Sequence, residues 1–109
     1  MSREEAFNEL GNSEAEAIAL CAEECGEAIQ AAMKILRHGM ECYDPGAVHT
    51  RNNRQDLERE LGQVLATIEI LKADGIVFEA GLKEAKIEKL NSVFQYLHHA
   101  KMPKGYPTP

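Results

Sequence analysis

The chain has 109 residues, 44% of them hydrophobic, which supports one modest core. Twelve Lys and Arg against eighteen Asp and Glu give a net charge of −6, which excludes a general nucleic-acid coat. Aromatics at 6% with no Trp disfavour a base-stacking platform, and no apolar run is long enough to cross a bilayer. The start, Met1-Ser2-Arg3-Glu4-Glu5, lacks the pattern of a signal or transit peptide. Three cysteines are too few for a disulfide scaffold, so a reducing, cytoplasmic setting is expected.

In chain order, a short helix is expected over residues 2–10, broken by Gly11-Asn12. Ser13 and Glu16 have the spacing of a capping box, which predicts a long helix over 13–38. Ile18, Ala22, Cys25, Ile29, Met33 and Leu36 recur at three and four residues and are expected to face the core. Gly39 follows Lys34, Arg37 and His38 as a C-terminal stop. Residues 39–53 read as a long loop with an Asp44-Pro45-Gly46 turn. Asn53 is the expected cap of a second helix, with Leu57, Leu61, Val64, Leu65, Ile68 and Leu71 inward and Asp74-Gly75 as its end. A third long helix is predicted over 79–99, burying Leu82, Ile87, Leu90, Phe94 and Leu97. Residues 101–109 read as a Pro-containing, extended tail after a single domain over 1–100. The expectation is an all-α bundle of about four helices, and so small a bundle gains by packing on a second copy.

Three sets of residues carry chemistry in this frame. Glu24 and Glu27 are neighbours one turn apart, on a face expected to lie across the helix from the apolar stripe. Adjacent carboxylates repel unless a cation intervenes, and hard cations such as Mg²⁺ take oxygen ligands. The spacing alone is weak, because acids three apart also arise by composition, as at Glu41 and Asp44. Glu60 falls at the edge of the second helix's apolar stripe, where an unpaired carboxylate is costly. Asp56 and Glu58 need nothing beyond the favourable field of a helix N-terminus. The third set is basic: Lys34, Arg37 and His38, then Arg51 and Arg54, then Lys83, Lys86 and Lys89. Together these suit phosphate oxygens only if they converge on the carboxylates. Cys21 and Cys25 read as small core residues, and His98-His99 as a helix-end pair. Gly-rich phosphate loops, a Gly-x-Ser-x-Gly nucleophile and the Glu-x-x-His di-iron signature are all absent.

Taken together, the pieces resemble the all-α nucleotide pyrophosphohydrolase superfamily, the MazG-like proteins with relatives among dimeric dUTPases and dCTPases. Glu24-Cys25-Gly26-Glu27 is similar to its first motif, Glu-x-x-Glu, and Glu60-Leu61-Gly62-Gln63 to its second, Glu-x-x-Asp. Lys34-Ile35-Leu36-Arg37-His38-Gly39 and Asn53-Arg54-Gln55-Asp56-Leu57 are similar to runs in small phage and bacterial members. The stretch from Lys89-Leu90 to Tyr96-Leu97-His98-His99 is similar to the same subgroup. The resemblance implies a helical homodimer or homotetramer that cleaves nucleoside triphosphates to monophosphate and pyrophosphate. It implies Mg²⁺, or Mn²⁺ in its place, held by Glu24, Glu27 and Glu60 with Gln63 in the fourth position. Lys34, Arg54, Lys86 and Lys89 are the implied phosphate contacts. Gln63 departs from the pattern: its amide carries no charge and cannot act as a base. The resemblance therefore also implies an alternative, a weak or inactive nucleotide-binding relative.

Overall fold

A computed structural model describes residues 8–47 and 49–106. Among the described residues every regular element is helical: α1 Asn12–His38, α2 Asn53–Ala73 and α3 Glu79–Val93. Three helices stand where about four were expected; the helix predicted over 2–10 lies mostly outside the described residues, and residues 8–10 are not helical. None of the helices is long and apolar enough to cross a membrane. The chain divides into two compact units, Met1–Ile76 with α1 and α2, and Val77–Pro109 with α3.

In the first unit α1 and α2 pair as an antiparallel hairpin tied at both ends. The cap of α1 falls two residues before the predicted one, where Glu14 Oε1 accepts the Gly11 N–H at 2.9 Å. Ser13, freed from capping, donates its hydroxyl to Asp74 Oδ2 at 2.8 Å and joins the start of α1 to the end of α2. Gly39 ends α1 as predicted, at φ 88, with its N–H on the Ile35 carbonyl at 2.7 Å. The loop then folds back onto α2: Arg54 N–H reaches the Met40 carbonyl at 2.9 Å and Asn53 N–H the Cys42 carbonyl at 2.8 Å. Asn52, rather than Asn53, caps α2, in reciprocal bonds with Gln55 of 2.9 Å each. Asn53 is instead buried, its amide donating to the Gly39 carbonyl at 3.0 Å. Asp74 and Gly75, the latter at φ 71, end α2 as predicted.

The packed faces correct the expected stripes. On α1 the buried residues are Ala17 and Ala31, whereas Ile18, Ile29, Met33 and Leu36 are 39%, 64%, 46% and 77% exposed. On α2 Thr67 and Leu71 are buried, while Leu61 and Leu65 are 48% and 64% exposed. The physical reason is backbone proximity. Alanines at 17 and 31 let the helices approach closely, and the bulky stripe one residue further on is turned outward. Thr67 is accommodated because its hydroxyl donates to the Val64 carbonyl at 2.7 Å. The Glu24 and Glu27 face thereby turns toward α2 rather than away from the packed side.

In the second unit α3 stops at Val93, six residues before the predicted 99. Ser92 Oγ donates back to the Lys89 carbonyl at 3.4 Å, and Tyr96 N–H bonds the Val93 carbonyl at 3.0 Å, so the chain tightens into a turn. Leu82, Ile87, Leu90 and Phe94 are half-buried, but Leu97 is 42% exposed. His98 and His99 thus lie beyond the helix they were expected to end. Past them, the Tyr106 ring lies 5.4 Å beneath Lys86 Nζ, a cation–π contact.

Candidate functional site

Close pairing of α1 and α2 forces their facing carboxylates together. Glu24 and Glu27 sit one turn apart on α1 and Glu60 opposite them on α2, with an oxygen of each within 4.8 Å of the others. Glu24 Oε2 and Glu60 Oε2 are closed off from solvent with no hydrogen-bond partner. Burial, then the charges of Glu27 and Glu23, push the Glu24 carboxyl above its ordinary value of 4.5. Glu60 is raised as well, by burial first and then by its contact with Glu27 and the charges of Glu27 and Glu24. The Arg59 charge opposes both shifts without cancelling them. Unpaired, shielded oxygens in such number are costly, and a donor set made only of oxygen is the kind that hard divalent cations take.

The cluster opens into a cavity of about 290 Å³ whose walls carry Glu27, Glu60 and Asp56 together with Lys34, His49 and Arg51. Lys34 is the one implied phosphate contact found beside the carboxylates. Arg54 is not in the cavity wall; it is occupied by Glu41, with contacts of 2.6 and 3.2 Å, and the bond to Glu41 raises its pKa further. Lys86 and Lys89 belong to the other unit, where Lys86 lies against Tyr106. Gln63 follows Glu60 by one turn on α2 and is half-buried.

Two residues of the cavity, Asp56 and His49, carried no functional reading in the sequence; a third, Arg51, was expected only as part of the basic set. Asp56 occupies the first turn of α2, as its helix-end reading requires, but Oδ1 also accepts Arg51 Nε at 2.9 Å inside the cavity. Its spacing of four from Glu60 placed both on one face and was the available signal. Arg51 and His49 come from the loop, where no periodicity points; His49 Nδ1 accepts the Arg51 N–H at 3.2 Å. The cysteines are all free, with Cys21 half-buried and Cys25 and Cys42 exposed rather than core residues. Burial and the neighbouring Cys21 push the Cys25 thiol up, which disfavours the thiolate a soft metal needs.

No known protein family, curated protein or solved structure matches the chain.

Proposed function

We propose that the protein is a metal-dependent nucleotide pyrophosphohydrolase, cleaving a nucleoside triphosphate and water into a nucleoside monophosphate and pyrophosphate. The observation that supports this most is one cleft with two characters. Three carboxylates from two helices meet, and two of them, Glu27 and Glu60, line a cavity with Lys34, His49 and Arg51. Glu24, Glu27 and Glu60 would hold Mg²⁺, or Mn²⁺, with Gln63 offering only a neutral carbonyl oxygen. A cation there would acidify a water and neutralise phosphate charge. Lys34 donates to phosphate oxygens, and Arg51 fixes Asp56 so that its carboxylate stays in the cavity wall. A carboxylate not engaged by the cation accepts the proton of the attacking water. The water oxygen forms a bond to the α-phosphorus as the bond between that phosphorus and the bridging oxygen breaks, and pyrophosphate takes that electron pair. The test is pyrophosphate release from a panel of ribo- and deoxyribonucleoside triphosphates with Mg²⁺ or Mn²⁺. Release on at least one substrate that a chelator abolishes is expected; silence from folded protein sinks the reading. Gln63 favours the second reading, a nucleotide-binding relative with little turnover.

The same proposal includes assembly with a second copy and a cytoplasmic setting, the latter in keeping with three free cysteines. Ala17, Ala31 and Leu71 are the only buried apolar residues among those described, while Ile29, Leu36 and Leu65 are each more than 60% exposed. These exposed apolar side chains are the surface that a second copy would cover. Light scattering should give two or four times the chain mass, and Leu36→Lys with Leu65→Lys should reduce it to one. A monomeric wild type would refute the assembly.

A further inference from the structure

The attacking water must give up a proton, and the walls of the carboxylate cavity narrow the choice of what takes it. Among the described residues lining that cavity, the side chains able to accept a proton are Glu27, Glu60, His49 and Asp56. Glu27 and Glu60 belong to the cluster that would hold the cation, so their oxygens would serve as ligands. His49 Nδ1 accepts the Arg51 N–H at 3.2 Å, so the neutral ring carries its proton on Nε2. Such a ring has a donor to offer and no free acceptor. Asp56 differs from all three. Its Oδ1 accepts Arg51 Nε at 2.9 Å, while among the described residues its Oδ2 makes no hydrogen bond. The side chain is 18% exposed and part of the cavity wall. Its backbone is fixed in the first turn of α2, where the Asp56 N–H donates to the Asn52 carbonyl at 3.0 Å.

We infer that Asp56 is the base of the reaction and takes the proton of the attacking water on Oδ2. The assignment rests on the hydrolase reading and goes beyond it by naming the residue that acts. Glu60 follows Asp56 by four residues on α2, about 6 Å further along one face. A water bridging two oxygens spans about 5.5 Å, so one water fits between Asp56 and the cluster. Gln63, one turn on the other side of Glu60, has an amide that cannot take the proton. With Oδ1 held by Arg51, Oδ2 is the atom left to face a water. The O–H bond of the water breaks toward Oδ2, and the water oxygen bonds to the α-phosphorus. The bridging oxygen departs with its electron pair as pyrophosphate, and Asp56 then releases the proton to solvent. Arg51 is a positioning residue in this scheme, because it acts through Asp56.

Asp56→Asn, Asp56→Glu and Arg51→Gln, each compared with the wild type, test this. Asp56→Asn should lower kcat at least about 100-fold with KM nearly unchanged. Asp56→Glu should keep part of the rate, since it keeps a carboxylate. Arg51→Gln should cost less than Asp56→Asn, because it removes only the positioning contact. Mn²⁺ affinity, followed by calorimetry, is the readout besides turnover, and Asp56→Asn should leave it unchanged. Circular dichroism verifies that the variants fold. Turnover by Asp56→Asn at the wild-type rate overturns the assignment. So does a loss of Mn²⁺ affinity in that variant, which would make Asp56 a ligand. An Arg51→Gln variant as impaired as Asp56→Asn also overturns it, because the ion pair would then be the whole effect. In each of these cases the wild type's own turnover leaves the hydrolase reading standing. A folded wild type silent on every triphosphate removes that reading and the base with it.

Discussion

Glu60→Gln is expected to make the metal-free protein more stable at neutral pH and to cut metal-dependent turnover by about 100-fold or more. The two effects have one origin. Glu60 meets Glu24 and Glu27 with a shielded, unpartnered oxygen, and its pKa is raised by burial and by those neighbours. A carboxyl whose folded pKa lies above its unfolded one binds its proton more tightly in the folded state. Its contribution is complete below the ordinary value of 4.5 and is lost as pH rises through the raised value. The metal-free wild type therefore carries an unrelieved repulsion at neutral pH, and this part of its stability returns on acidification. Glutamine keeps the shape and removes the charge, so the variant should melt higher at neutral pH and show a flatter profile in the window just above 4.5. Mn²⁺ should raise the melting temperature of the wild type by mass action and leave the variant nearly unchanged. Turnover should fall by about 100-fold or more, since losing a residue that merely orients a ligand already costs about 10–100-fold. Thermal denaturation against pH, with Mn²⁺ and with chelator, checks the first half and pyrophosphate release the second. A variant less stable than wild type at neutral pH would mean that the cluster is held by attraction rather than strained by repulsion.

What the sequence revealed of this site depended on which residues spacing can align. Glu24 and Glu27 were legible because three residues along a helix bring side chains together whatever that face packs against. Glu60 was legible because its position beside apolar residues predicted partial burial. The packed side of α1 does not follow hydrophobic size. Ile18, Ile29, Met33 and Leu36 outweigh Ala17 and Ala31 on any hydropathy scale, yet small residues are what two closely approaching helices require. Caps were displaced for a related reason. Asn52 and Asn53 are equivalent as capping residues, and the bond across the loop to the Gly39 carbonyl draws Asn53 inward and leaves Asn52 as cap. The Arg51–Asp56 pair was out of reach because one partner lies in an aperiodic loop. Arg54 invited the opposite error: its charge was visible, but its engagement by Glu41 depends on how the loop folds back.

Gln63→Asp should raise divalent-cation affinity and turnover by about 10-fold or more, at the expense of the metal-free protein's stability. Gln63 is one turn beyond Glu60 on α2, so a carboxylate there joins the rim of the cluster. An amide oxygen can ligate but offers no charge, whereas an aspartate adds a fourth negative charge to attract the cation. Without metal the same charge meets Glu24 and Glu60, whose protons are already held above the ordinary carboxyl value. The variant should therefore melt lower than wild type in chelator and higher in saturating Mn²⁺, so that the two curves cross as metal is added. That crossing separates a ligand from a bystander. An aspartate turned away from the cluster would shift both conditions alike and leave Mn²⁺ affinity unchanged. The wild-type rate then decides between the two readings of the protein. If the wild type is silent and the variant turns over, glutamine is the reason a site with this geometry binds without cleaving. If both turn over, three carboxylates are sufficient, and the glutamine sets how much metal the protein needs rather than whether it acts.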